Sequence, residues 1–161
     1  EAGAKSMERV EVDLAAAVED VCELFRPAAE DKGVSLHFSP APAPGIMGDP
    51  QRLKRAMAHL IDNAIKYTPA GGEVRVQCGE LQGDAVVSVA DTGIGIPAEA
   101  TAEVFSRFYR VDASRSEPGN GLGFSLAQAI VRAHGGNIAL ESEVARGSSF
   151  AVRIPALRPH R

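Results

Sequence analysis

Asp91-Thr92-Gly93-Ile94-Gly95-Ile96 follows directly on the apolar run Ala85-Val86-Val87-Ser88-Val89-Ala90, so a buried strand delivers a carboxylate into a glycine turn. A carboxylate at the end of an apolar strand is costly to bury unpaired. It can, however, accept a hydrogen bond from an exocyclic amino group such as that of adenine. Gly93 and Gly95 would let backbone approach a flat ring or a phosphate with no Cβ in the way. Asp-x-Gly is also an ordinary turn, so the purine reading depends on what the rest of the chain supplies.

Working outward from this turn, Glu73 to Leu81 and Asp84 to Ala90 alternate as strands, with Val74, Val76 and Cys78 inward and Gln82-Gly83-Asp84 making a hairpin. Before them, Asp49-Pro50 is an N-cap followed by proline at the first helical position. It opens a helix through about Tyr67 with a core stripe of Leu53, Ala56, Met57, Leu60, Ile61, Ala64 and Ile65, stopped by Thr68-Pro69-Ala70-Gly71-Gly72. Further upstream, Arg9 to Val12 reads as a short strand. Asp13 caps a helix to about Lys32 that Pro27 is expected to kink or shorten. Gly33 ends that helix, Val34 to Phe38 reads as a strand, and Ser39 to Gly48 as a Pro- and Ala-rich loop. Downstream, Pro97 to Val104 reads as a short helix and Phe105 to Asn120 as a mobile loop. Leu122 to about His134 reads as an amphipathic helix ended by Gly135-Gly136, and Asn137 to Ser142 with Ser148 to Ile154 as a closing hairpin. His134 looks like a helix C-terminal residue favoured by the helix dipole. Hairpins with about three helices, and no regular strand-helix alternation, predict an α+β two-layer sandwich rather than a doubly wound sheet.

The composition sets outer limits. With 161 residues, 45% of them hydrophobic, one domain with a sizeable core is expected. A net charge of −4 and 5% aromatic residues, without a Lys/Arg-rich run, argue against a nucleic-acid surface. Cys22 and Cys78 both fall at apolar-face positions and read as reduced core residues of a cytoplasmic domain. No apolar stretch approaches the roughly 18 residues a membrane-spanning helix needs. No direct membrane contact is expected of this domain, although it could be the cytoplasmic end of a protein anchored in the inner membrane.

The residues able to do chemistry lie around the glycine turns. His59, Asn63 and Lys66 fall four and three residues apart and share one edge of their helix. An amide oxygen at Asn63 can ligate Mg²⁺, a hard cation that commonly keeps waters and nucleotide phosphates as its other ligands. Lys66 can supply a point charge to phosphate. Read blandly, the same three residues are a solvated polar edge. Gly119-Asn120-Gly121-Leu122-Gly123 precedes a helix, so its amides can cradle phosphate, or merely join a loop to a helix start. Arg110 and Arg115, just before it, could close over triphosphate oxygens.

Asn63-Ala64-Ile65-Lys66-Tyr67, Asp91 to Ile96, Phe105-Ser106-Arg107-Phe108-Tyr109-Arg110, Gly119 to Gly123 and Gly147-Ser148-Ser149-Phe150 occur in that order. In this the chain resembles the catalytic ATP-binding domain of bacterial sensor histidine kinases, matching its N box, first glycine box, F box, second glycine box and last glycine motif. The resemblance covers about Arg9 to Pro155. It implies an ATP-binding domain over 9–155, with residues 1–8 a remnant of a preceding helical dimerisation segment or tag and 156–161 a tail. It also implies a Bergerat-type two-layer α/β sandwich, a mixed, mostly antiparallel sheet packed on about three helices. Under it, Asp91 would bind the adenine amino group, with Gly93, Gly95 and Ile96 shaping the pocket. Asn63 would hold Mg²⁺, and Lys66, Tyr67, Arg110 and Arg115 would lie near the phosphates, Lys66 and Arg110 aiding transfer. Phe105 and Phe108 would anchor a lid whose far end, Gly119, Gly121, Leu122 and Gly123, wraps the triphosphate. Ser148 would reach the adenine through water.

Two positions depart from the family pattern. His59 stands where the N box usually begins with a second asparagine, and related hydrolases have a glutamate base there. Phe124 replaces a smaller aliphatic residue. The family's acceptor, a histidine followed by an acidic residue, is matched by none of His37, His59, His134 and His160. The expectation is therefore a domain that binds ATP or ADP with Mg²⁺ and hands a phosphoryl group to a histidine on its own, separate dimerisation domain, for relay to a response regulator. Its competitors are an ATP hydrolase or serine kinase of the same superfamily, and a non-catalytic module that binds protein partners.

Overall fold

The computed structural model describes residues 9–92, 120–143 and 147–156. Its elements run β1 (Val10–Val12), α1 (Leu14–Lys32), β2 (Ser35–Pro40), β3 (Ile46–Gly48), α2 (Pro50–Lys66), β4 (Glu73–Leu81), β5 (Asp84–Asp91), α3 (Asn120–Ala133), β6 (Asn137–Glu143) and β7 (Gly147–Ile154). Five strands form one sheet in the order β2-β4-β5-β7-β6, parallel only between β2 and β4. The expected α+β sandwich, with a mostly antiparallel sheet and three helices, is what the described residues form.

Period-two alternation decides which face of the sheet is covered. Val74, Val76 and Cys78 of β4, Ala85, Val87 and Val89 of β5, and Phe150, Val152 and Ile154 of β7 are all buried. They join the α2 stripe of Leu53, Ala56, Met57, Leu60 and Ile61, and Val18, Val21 and Cys22 of α1, in a single cluster. Arg75 and Gln77, on the other face of β4, are exposed. Burying one side chain such as Leu60 or Ile61 contributes about 1.5–3 kcal/mol, so this face is the main source of stability. Both cysteines are free and buried, and burial pushes each thiol up to about 11, which leaves them as core residues.

Local signals account for the element ends. Asp49 Oδ1 accepts from the Gln51 and Arg52 amides at 3.1 and 3.3 Å, and Asp13 Oδ1 from the Ala16 amide at 3.3 Å. Gln82 and Gly83 both have positive φ, 53° and 86°, as a two-residue hairpin turn with the twist of its strands requires. Arg153 braces that turn, donating to Asp84 Oδ2 at 2.7 Å and Gln82 Oε1 at 3.1 Å.

Two expectations need correction, and a third resolves between its alternatives. Helix α1 runs to Lys32 as expected, so of the two effects anticipated for Pro27 it does not shorten the helix. Pro27 and Glu23 are exposed, so water can satisfy the Glu23 carbonyl that Pro27 leaves without a donor. The stretch read as a loop from Ser39 holds the end of β2 and all of β3, which pairs antiparallel with β1 in a separate two-stranded sheet. Pro40 is tolerated because β2 is an edge strand. Finally, His134 is buried and hydrogen-bonded on both sides: Nε2 accepts from the Asp49 amide at 3.1 Å and Nδ1 faces the Ile130 carbonyl at 2.8 Å. An accepting Nε2 puts the proton on Nδ1, so the ring is a neutral link between the end of α3 and the start of α2, rather than a cation held by a dipole.

The turn after α3 is sterically fixed. A Cβ on Gly136 would sit 2.1 Å from the Arg153 carbonyl oxygen, a backbone atom with no soft way to yield. Gly136→Ala is expected to destabilise the fold by about 2 kcal/mol. Urea unfolding of the two proteins checks this.

Candidate nucleotide site between helix α2 and the end of strand β5

The polar edge of α2 is only partly solvated. Asn63 is 3% exposed, and its Nδ2 donates to the His59 carbonyl at 2.8 Å. A carbonyl can only accept, so the amide is fixed with its NH₂ toward His59 and Oδ1 as the remaining lone-pair atom. Asn63 Oδ1 and His59 Nε2 are both buried, and among the described residues neither has a hydrogen-bond partner. Buried polar atoms without partners are rare and costly, so two of them one helical turn apart mark a place that a water, an ion or a polar ligand would fill. Burial first, then the neighbouring Arg55, lower the His59 pKa from its usual value against a smaller upward pull from Asp62. Lys66 is exposed and ion-paired with Asp62 at 3.3 Å, within reach of an incoming anion.

The end of α2 is held from a distance. Lys32, the last residue of α1, donates through Nζ to the Ile65 carbonyl at 3.0 Å and also to the Lys66 carbonyl. A lysine on C-terminal carbonyls satisfies groups the helix leaves open and suits its negative end. The Tyr67 amide closes the last turn on the Asn63 carbonyl at 3.0 Å.

Asp91, half-buried, is the last residue of β5 and lies opposite Val74. Immediately after it, Thr92 is tied twice to Glu73. Its amide donates to the Glu73 carbonyl at 3.2 Å and its Oγ1 accepts from the Glu73 amide at 3.1 Å. Thr68, fully buried, donates through Oγ1 to the Ala64 carbonyl at 2.7 Å. Gly72 lies between these two threonines: a Cβ there would fall 2.5 Å from Thr68 Cγ2 and 2.7 Å from Thr92 Oγ1. Thr68, Gly72 and Thr92 thus clasp the end of α2 to the end of β5 and set Asn63 and Asp91 on neighbouring elements. Sequence reading took Thr68 to Gly72 only as a helix stop. A threonine directly after the helix and a glycine directly before a strand were the available hints.

The other expected residues divide. Gly121, Leu122 and Gly123 lie within the first turns of α3, which starts at Asn120, two residues earlier than expected. They belong to the helix start itself, whose first amides have no intrahelical partner. Ser148 is in β7, next to Ser149, which pairs with Ala90 of β5, so its backbone lies at the Asp91 end of the sheet. Gly93, Gly95, Ile96, Arg110, Arg115 and Gly119 lie outside the described residues, as do the expected helix Pro97 to Val104, Phe105 and Phe108, and nearly all of the expected mobile loop. Among the described residues, no group of three or more His, Cys, Asp or Glu side chains could hold a metal unaided, and no helix is long and apolar enough to cross a membrane.

Known proteins share this arrangement. Residues 48–158 match the model of the family described as histidine kinase-, DNA gyrase B- and HSP90-like ATPases. Sensor protein SrrB of Staphylococcus aureus is 35% identical over 133 residues, which cover 81% of this chain and 23% of SrrB. Full-length ShkA in complex with AMPPNP superposes with a TM-score of 0.82 at 30% identity, over 94% of this chain and 32% of ShkA. The catalytic domain of the histidine kinase ThkA does so with a TM-score of 0.80 at 28% identity, over 92% of this chain and 96% of that domain. ThkA in complex with the response regulator protein TrrA gives 0.79 at 25% identity, over 94% of this chain and 42% of ThkA. The chain therefore belongs to the histidine kinase-, DNA gyrase B- and HSP90-like ATPases, as the catalytic, ATP-binding domain of a histidine kinase.

Proposed function

We propose that this domain binds Mg-ATP between α2 and the end of β5 and donates the γ-phosphoryl group to a histidine on its own dimerisation domain, for relay to a response-regulator aspartate. The observation that supports this is the pair of unpartnered buried atoms on α2, the helix whose end the Thr68-Gly72-Thr92 clasp joins to the end of the strand that finishes at Asp91. The chain spans 23% of the length of SrrB, which leaves room for the acceptor and sensing segments elsewhere in a longer protein. In this reading the domain works on the cytoplasmic side.

Asp91 would accept from the adenine amino group, and Gly93, Gly95 and Ile96 would line the ring. Asn63 Oδ1 suits a hard cation, and Mg²⁺ bound there would neutralise charge on the phosphate oxygens. Lys66 would exchange Asp62 for a phosphate oxygen, with Tyr67 beside it. Arg110 and Arg115 would close over the triphosphate, and Gly119 together with the first amides of α3, at Gly121, Leu122 and Gly123, would receive it. Ser148 would approach the adenine through water. In transfer, a nitrogen of the acceptor imidazole bonds to the γ-phosphorus while the bond to the bridging oxygen breaks. ADP leaves, and the imidazole proton passes to a base on the acceptor's domain. Positioning and charge neutralisation are this domain's share, Lys66 and Arg110 foremost.

None of the described histidines has the acidic residue after it that the family's acceptor has: His37 precedes Phe38, His59 precedes Leu60 and His134 precedes Gly135. Mixing the domain, γ-labelled ATP and the dimeric acceptor domain of the full-length protein is expected to give acid-labile, base-stable label on the acceptor alone. Absence of such label would overturn the transfer reading. ATP turnover without any acceptor, lost in His59→Ala, would instead favour a hydrolase.

A further inference from the structure

His59 and Asn63 pose one problem together. Their unpartnered atoms, an imidazole nitrogen and an amide oxygen, are buried on the same face of α2 one turn apart. If His59 Nε2 carried a proton toward a phosphate oxygen, Asn63 Oδ1 would still lack a partner, because phosphate oxygens and amide oxygens both only accept. A single cation, by contrast, takes a lone pair from each. No third protein ligand of the His, Cys, Asp or Glu type stands ready among the described residues, so phosphate oxygens and waters must complete its shell.

We propose that His59 Nε2 shares with Asn63 Oδ1 the divalent cation of the bound nucleotide, so that this site favours a first-row transition-metal ion over Mg²⁺. The inference rests on the nucleotide reading above and adds a ligand that sets which metal is used. Mg²⁺ is hard, demands near-ideal oxygen geometry and gives up water reluctantly. Imidazole suits transition metals, whose affinity for nitrogen sites rises along the series from Mn²⁺ through Co²⁺. An all-oxygen site one residue different, with Asn at position 59, has a weaker bias of this kind.

The test uses the whole chain with AMPPNP. Calorimetry is expected to give AMPPNP binding about tenfold tighter with Co²⁺ than with Mg²⁺, and His59→Asn is expected to bring the two within about twofold, the size of change expected when one metal contact is lost. Pulsed electron paramagnetic resonance on the Mn²⁺-AMPPNP complex supplies a second, independent measurement. The wild-type chain should show an imidazole nitrogen coupled to Mn²⁺, and His59→Asn should not, which separates this signal from any adenine nitrogen. Nucleotide binding with no such coupling in the wild type, and one metal preference in both proteins, would overturn the inference and leave the nucleotide reading standing. No binding of AMPPNP with any of the three cations would overturn both.

Discussion

Asp91→Asn is expected to lower the affinity of the domain for ATP by about 10- to 150-fold, the loss that follows when a hydrogen bond to a charged group gives up its charge. The geometry makes the carboxylate hard to replace. Asp91 ends β5 in register with Val74, and the next residue, Thr92, is tied to Glu73 through two hydrogen bonds, so the backbone that carries the carboxylate is fixed. Asn keeps the shape and one acceptor oxygen but loses the charge. The fold should be unaffected, because the core under β5 is made by Ala85, Val87 and Val89. As the chain has no tryptophan, a fluorescent adenine nucleotide displaced by ATP is the convenient readout, with circular dichroism as the check on folding.

Asn63→Ala should weaken the metal dependence of binding. In the wild type, Mg²⁺ is expected to raise ATP affinity. In the variant, affinity with Mg²⁺ should fall about 10- to 100-fold, toward the level seen in EDTA, as expected when one of the groups that hold the metal is deleted. Stability should change by no more than about 1 kcal/mol. The Nδ2 bond to His59 only adds to a carbonyl already in the helix ladder, and alanine is the better helix former. An unchanged difference between Mg²⁺ and EDTA would remove Asn63 from the metal site.

Local chemistry made much of this fold readable in advance. Asp49-Pro50 announces α2 because the cap carboxylate and the missing proline N–H both suit a helix start, and the structure places the cap bonds there. Gln82-Gly83 announces the β4/β5 hairpin because the glycine readily takes the positive φ that a two-residue hairpin turn needs, and Gln82 is carried into the same region by the turn. Three features escaped because contacts distant in sequence decide them. β3 is three residues long and exists through its pairing with β1, more than thirty positions away. His134 takes its role from the Asp49 amide, 85 positions off. The clasp of Thr68, Gly72 and Thr92 depends on how closely the ends of α2 and β5 approach, a distance that no local pattern encodes. At the site, Asn63 and Asp91 were named from motif and chemistry. That His59 Nε2 and Asn63 Oδ1 lie buried together without partners is visible only once α2 is packed.

The seat of the purine ring can be tested by chemistry on both partners at once. ITP carries a carbonyl oxygen where ATP has its exocyclic amino group, so the donor that Asp91 would accept from at that position is replaced by an acceptor, and only the ring N1–H remains on that edge. Calorimetric titration of the wild-type chain and Asp91→Asn with each nucleotide, in the presence of Mg²⁺, closes a double-mutant cycle. The wild type should bind ATP at least about tenfold more tightly than ITP, and Asp91→Asn should bring the two within about threefold, the mark of one lost charge-assisted contact. A preference for ATP over ITP that survives unchanged in Asp91→Asn would show that adenine is recognised elsewhere and contradict the placement of the nucleotide at the end of β5.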